Sequence, residues 1–412
     1  MPIRDAFSRQ IDTTPLLNWL HDLITHRPLD VCVWLGAALR VWVFSQGRSY
    51  WMDEGSLLGN IRGKAPFDFS GPLTSDQLAP PGFLAVERIL VMLLGGSPYV
   101  TRLIPLACGI GALFLFRRLV ERLLTPPAAL VAMFLFAFGD DLVYYSNELK
   151  PYASDLAIGL LITILSLREV NEPSTPRRRL ALAILVIVSP WFSFPSVFVT
   201  AGCGIVLLAT RLRSGRRDEA RALAAMAAAW AVSAFAAHRL ASGLLGAATS
   251  MYVFWNFAFP PMPPRSLADL ATTANILLET FVTPLNLVPR FLPYAFALMA
   301  LVFAGWGMRR LAARDAAAFW MLALPVMLAI GASIVRRYPF HGRLILWTVP
   351  LFFALIAEGV QEIRYRRGKA WYRAALAFLM LYPTVSTLYE AIPPHYRDFN
   401  PHGDLRRNRF ID

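Results

Sequence analysis

The chain has 412 residues, 56% hydrophobic and 16% charged, with a formal net charge of +13 and a mean hydropathy of +0.48. Apolar blocks recur from near residue 30 to near residue 390, which excludes an ordinary soluble domain and reads as a polytopic membrane protein. The blocks approach the roughly 20 residues that a helix needs to cross a bilayer and lack the alternating ten-residue rhythm of a β-barrel, so the fold class is all-α. The positive charge sits in short arginine clusters between apolar runs, with no basic domain and no nucleic-acid reading motif, so it marks topology and attraction to anionic lipid, and no nucleic-acid partner is expected.

In chain order, residues 1–29 are polar and lack the short apolar core of a cleaved signal peptide, which predicts a cytoplasmic N-terminal segment. Five basic clusters then set the direction of each apolar run: Arg117, Arg118 and Arg122; Arg177 to Arg179; Arg211, Arg213, Arg216 and Arg217; Arg309, Arg310 and Arg314; and Arg364, Arg366, Arg367 and Lys369. With all five inside, the runs predict about eleven spans, N-terminus in and C-terminus out. These are Val31 to Phe44, Tyr99 to Phe116, Ala128 to Tyr144, Tyr152 to Leu167, a pair from Leu180 to Ala209 bent at SPWFSFPS, Leu223 to Leu240, Phe291 to Met308, Phe319 to Val335, Leu344 to Ile363 and Ala370 to Leu388. The run from Pro80 to Gly96 is short and carries Glu87 and Arg88 in its middle. It is expected to lie in the outer interface, with Pro81 at its start and the charged pair facing water. The resulting organisation is a transmembrane module over 30–215 with an outer loop at 47–98, a second module over 216–390 with an outer loop at 241–290, and a short outer tail at 391–412.

Three polar stretches fall on the outer side. SYWMDEG places Asp53 and Glu54 just past the first span. A carboxylate at a partly dry boundary serves as a general base toward a hydroxyl, or holds a divalent cation, although nothing in the spacing indicates a metal. YYSNELKPYASD carries Tyr144 and Tyr145 as platforms for a sugar ring and Glu148 as a second acidic or acceptor-binding group. It also holds Lys150, one of three lysines in the chain, as a phosphate or substrate contact, and Asp155 in the first turns of the next helix. RRYPFHGR sets Arg336, Arg337, His341 and Arg343 against the positive-inside tendency, as a binding site for a lipid phosphate would. Cys32, Cys108 and Cys203 are scattered in apolar runs and read as small buried side chains. Histidines at ligand spacing, a P-loop, a dinucleotide fingerprint and a nucleophile elbow are all missing, so no soluble-nucleotide cofactor is expected.

The acidic pair in the first large outer loop, the Pro-Pro helix start in QLAPPGFLAVERIL and the YYSNELKPYA segment together resemble the GT-C superfamily of membrane glycosyltransferases. The likeness is greatest to the protein mannosyltransferase, aminoarabinose transferase and lipopolysaccharide galacturonosyltransferase group. It covers the first 210 or so residues, and RRYPFHGRLILWTVP is similar to the family's Arg-Tyr and Pro pattern before a late helix. The resemblance implies a sugar donor linked to polyprenyl phosphate, an acceptor hydroxyl on a lipid, glycan or protein, and inverting transfer on the non-cytoplasmic face. It also implies catalysis by Asp53 with Glu54 as its partner, while Glu148 and Lys150 occupy a Glu-x-Arg-Pro-Tyr pattern in which Lys150 replaces the usual Arg. A polyprenyl-lipid transporter and a glycan polymerase or ligase using a pyrophosphate-linked donor are the alternatives, the first disfavoured because the charges gather at helix ends rather than at mid-membrane. Arginine-heavy composition leans toward a bacterial inner membrane, with the site facing the periplasm.

Overall fold

The computed structural model describes residues 27–172, 174–245, 249–288 and 293–392. Most of the expected N-terminal segment and of the outer tail lies outside the described residues. Among those described, every regular element is helical.

The first half comprises α1 (Pro28–Ser45), α2 (Met52–Gly59), α3 (Pro81–Leu94), α4 (Leu103–Leu123), α5 (Pro126–Ala137), α6 (Asp140–Tyr145), α7 (Tyr152–Asn171), α8 (Pro176–Val188) and α9 (Ser196–Arg213). The second comprises α10 (Arg217–Leu245), α11 (Thr249–Phe254), α12 (Leu267–Glu279), α13 (Pro293–Arg314), α14 (Ala316–Ile334), α15 (Val349–Arg367) and α16 (Lys369–Ala391). Proline opens α1, α3, α5 and α8, where its missing N–H costs nothing. Among the described residues, seven stretches are long and apolar enough to cross a membrane: Pro28–Ser45, Pro98–Leu123, Ser196–Arg213, Arg217–Leu245, Ala295–Arg314, Ala316–Ile334 and Gly342–Arg367.

Two departures from the sequence expectation bear on the site. The run from Ala128 to Tyr144 is broken at Phe138 and Gly139 into α5 and α6. Arg40 of α1 reaches across to donate to the carbonyls of Phe136 and Ala137 and to Ser146 Oγ, satisfying acceptors that the end of α5 leaves open. Helix α3 does start at Pro81, but its charged pair does not face water: Glu87 is 0% and Arg88 1% exposed. The helix is wedged against the segment between α1 and α3, where Arg88 donates to the carbonyls of Asp68 and Asn60, and the side chains left exposed are Met92, Leu93 and Leu94.

The main core runs through α4, α5, α7, α9, α13, α14 and α15. Close approach depends on glycine where α13 meets α15: a Cβ on Gly307 would fall on the Leu355 carbonyl, and one on Gly359 on that of Phe303. A smaller core of Tyr50, Leu57, Leu58, Ile61, Leu73, Phe83, Leu84 and Leu149 fastens the segment between α1 and α3 to the turn after α6.

The five arginine-bearing turns are joined at one end of the bundle. Glu172 receives Arg122 and Arg178, Glu169 receives Arg178, and Arg211 reaches both Glu219 and the Glu169 carbonyl. Glu358 accepts from Arg310 and Arg314, Glu362 from Arg310 and Arg366, and Arg314 also donates to the Leu123 carbonyl.

Candidate functional site

The opposite end of the bundle gathers the three polar stretches. Trp51 is extended (φ −70°, ψ 155°), and its backbone N–H donates to Glu54 Oε2 at 3.0 Å, which starts α2 and places Asp53 and Glu54 in its first turn. Successive residues on a helix point about 100° apart, so the two carboxylates diverge. Glu54 turns inward, 0% exposed. Arg102 Nε and Nη2 each hold one of its oxygens at 2.8 Å, and the Leu149 N–H adds a further bond at 2.8 Å. Arg102 in turn donates to the carbonyls of Arg48 and Ser49, binding α2, the start of α4 and the loop before α7 into one unit.

Asp53 turns the other way. Its Oδ2 lies 2.6 Å from Arg343 Nη2, closing an ion pair between α2 and the short 3₁₀ stretch Gly342–Thr348. Burial pushes the Asp53 carboxyl up, but the charges of Arg343 and Lys150, with hydrogen bonds from Arg343 and Gln77, outweigh it and hold the group at about 2. Lys150 Nζ donates to Gln77 Oε1 at 2.6 Å, and burial pulls its pKa down.

Glu148 is 1% exposed, and neither of its carboxylate oxygens has a hydrogen-bond partner among the described residues. Burial and then the charge of Glu54 push it up to about 7, against the pull of Arg343, Arg48 and Lys150. Arg343 and Lys150 thus stand within electrostatic reach of both Asp53 and Glu148. Aromatic rings line this group. The Arg343 guanidinium lies 5.7 Å from the Tyr152 ring and 5.9 Å from Trp255, while Arg48 sits 4.4 Å over Tyr144. Tyr145 packs edge-on between Tyr144 and Tyr152.

The remaining expected residues separate. His341 is buried at the same level, its Nε2 3.3 Å from Glu279 Oε2 and its ring against Phe257. Arg336 and Arg337 are exposed, and Arg336 donates to Asn256 Oδ1 at 2.6 Å, so Arg343 alone of the three arginines reaches Asp53. Asp155 is buried in the first turn of α7 and hydrogen-bonds to Ser193 in the SPWFSFPS bend. Sequence reasoning passed over Arg48, Gln77, Arg102, Tyr152 and Trp255. The two arginines carried a legible signal, since each is a charge at the edge of an apolar run; Gln77 and the two aromatics carried none apart from the fold. It also passed over Asp140 and Asp141, which open α6 and meet Asn286 and Thr283. Among the described residues, no three His, Cys, Asp or Glu side chains are grouped as metal ligands.

The arrangement is a largely buried, aromatic-lined site with one ion-paired carboxylate, one carboxyl that has no hydrogen-bond partner among the described residues, and several cations. It can hold a phosphate and take up a proton close by.

No family model matches the chain, and no curated protein matches it in sequence. Among solved structures, ArnT from Cupriavidus metallidurans in the apo state is similar at 14% identity and a TM-score of 0.49, over 91% of this chain and 72% of that one. The same protein bound to undecaprenyl phosphate gives 14% and 0.49 over 88% and 71%. The Archaeoglobus fulgidus oligosaccharyltransferase, in complex with zinc and sulfate, gives 13% and 0.48 over 88% of this chain and 52% of that one, so the chain spans about half of that enzyme's length.

Proposed function

We propose that the protein is a membrane glycosyltransferase of the GT-C kind. In this reading it moves a sugar from a polyprenyl-phosphate donor to a hydroxyl of a lipid, glycan or protein. The observation that carries it is the Asp53–Arg343 ion pair beside Lys150 and Glu148, assembled from three stretches far apart in the chain. The membrane threading proposed with it has about eleven spans, N-terminus in, with the site on the non-cytoplasmic side of a bacterial inner membrane. Its support is the joining of the arginine turns at the end away from Asp53.

Arg343 offers a fork of donors to the lipid phosphate, with Lys150 and His341 beside it and Arg336 and Arg337 at the outer rim facing headgroups. Phosphate oxygens compete with Asp53 for that fork. Once the phosphate takes it, the Asp53 carboxylate loses its main counter-charge and becomes basic enough to accept a hydroxyl proton. The acceptor oxygen then bonds to the anomeric carbon from the face opposite the phosphate, and the bond from that carbon to the phosphate oxygen breaks. The electron pair leaves on the phosphate, the proton stays on Asp53, and the anomeric centre inverts. Guanidinium and ammonium groups offset the charge that develops on the leaving phosphate. Tyr144, Tyr145, Tyr152 and Trp255 give the sugar ring apolar faces, Glu148 accepts or donates hydrogen bonds to its hydroxyls, and Asp155 holds the bend that closes this side. Glu54 has its oxygens engaged by Arg102 and acts by positioning α2.

Reconstitution in vesicles with a polyprenyl-phosphate sugar labelled in the sugar tests this. Label appearing on an acceptor, and lost in Asp53→Asn with donor binding retained, is the expected result. Lipid crossing the bilayer with its sugar bond intact would replace the transferase with a transporter.

A further inference from the structure

At the end of the bundle away from Asp53, a cavity of about 300 Å³ opens between α4 and α7, at the small end of the range for ligand clefts, about 300–1,000 Å³. Its rim is Arg118, Arg122, Arg168 and Glu121, and its floor is Leu119, Ile164 and Leu167. The floor residues are at most 8% exposed, whereas all four rim residues are exposed. Neither Arg118 nor Arg168 has a carboxylate within salt-bridge distance among the described residues, while Arg122 is held by Glu172 at 2.8 Å. The one acidic rim residue is already answered, since Glu121 lies 3.1 Å from Arg117.

The depth of this cavity follows from helix geometry. Arg118 is sixteen residues along α4 from Arg102, which grips Glu54, and Arg168 is sixteen residues along α7 from Tyr152, which faces Arg343. At 1.5 Å per residue both lie about 24 Å from the candidate active site, close to the roughly 30 Å of a hydrocarbon core. A rim of guanidiniums over an aliphatic floor at that depth matches a phosphate attached to a lipid chain: the arginines take the oxygens, and the floor takes the first methylenes.

We propose that this cavity is a binding site for an anionic phospholipid of the leaflet opposite the active site, with Arg118 and Arg168 as its phosphate ligands. The proposal rests on the membrane threading proposed above but not on sugar transfer, since it concerns a separate cavity and is tested by binding.

The test is native mass spectrometry and thermal unfolding of the full chain in detergent, titrated with dioctanoyl phosphatidylglycerol. Dioctanoyl phosphatidylcholine, inorganic phosphate, and an Arg177→Ala/Arg179→Ala variant from another arginine turn serve as comparisons. Saturable binding of phosphatidylglycerol is expected, weakened about five-fold for each guanidinium removed in Arg118→Ala and Arg168→Ala and partly restored by Lys at both positions. Wild-type affinity in the double Ala variant would overturn the site, as would an equal loss in Arg177→Ala/Arg179→Ala, which would mark a diffuse charge effect. Equal binding of phosphatidylcholine overturns the anionic assignment, and equal competition by inorganic phosphate overturns the lipid. If the double Ala variant does not fold, phosphatidylglycerol protection of the Arg118→Lys/Arg168→Lys protein decides, and its absence counts against the proposal.

Discussion

Asp53 and Glu54 are neighbours in the chain yet answer to different arginines: Asp53 to Arg343 at 2.6 Å, Glu54 to Arg102 at 2.8 Å. The first pair joins elements from the two halves of the protein and is partly accessible. The second is sealed between α2 and the start of α4.

The two pairs therefore separate function from stability. Glu54→Gln leaves the buried Arg102 without its counter-ion and should destabilise the protein by about 3–5 kcal/mol, as broken buried pairs do. Asp53→Asn should lower the unfolding temperature far less, because Asp53 is 22% exposed, but abolish sugar transfer. Thermal unfolding alongside a transfer assay checks both; comparable destabilisation by the two variants would erase the distinction.

Opposite pH effects are expected from Asp53 and Glu148. Asp53 is held at about 2, below its usual value of 3.8, so the stability it contributes is present above about pH 4 and lost as pH falls through about 2. Glu148 is raised from 4.5 to about 7, so the native state keeps a proton that the unfolded chain releases. Its contribution declines as pH rises from about 4.5 to about 7, and is level above that. Unfolding followed across pH should show the upper slope flattened in Glu148→Gln and the acid limb flattened in Asp53→Asn.

Gly109 controls the placement of the turn that carries Glu148 and Lys150. A Cβ there would land on Ser146 Oγ, which is also held by Arg40 and the Leu142 carbonyl. Gly109→Ala should displace the turn and cut transfer on the order of a hundredfold, and Ser146→Gly in the same chain should recover much of it by making room. No recovery would mean that the Ala acts elsewhere along α4.

Lys150→Met removes the partner of Gln77 and one of the two cations that restrain Asp53. Donor affinity should fall in this variant, and the fall should shrink at high ionic strength, where the wild type also loses attraction for phosphate. Equilibrium binding of a polyprenyl phosphate at two salt concentrations measures this.

Hydrophobic run lengths and arginine placement are one-dimensional quantities. They therefore yielded the all-helical class, while of about eleven expected spans seven are long and apolar enough to cross a membrane among the described residues. Asp53, Glu148, Lys150 and Arg343 stood out as charges at the edges of apolar runs, because burying charge is costly and such residues are few. Pairing could not be read this way. Which arginine meets Asp53, whether Glu54 faces the site or the core, and why Arg343 enters while Arg336 and Arg337 stay outside depend on helix phase and on contacts across hundreds of residues. Glu87 and Arg88 make the same point: their composition says water, but α3 is wedged against the segment between α1 and α3 and hides both. Tertiary packing decided these because a side chain's solvent is set by whatever the rest of the chain brings beside it.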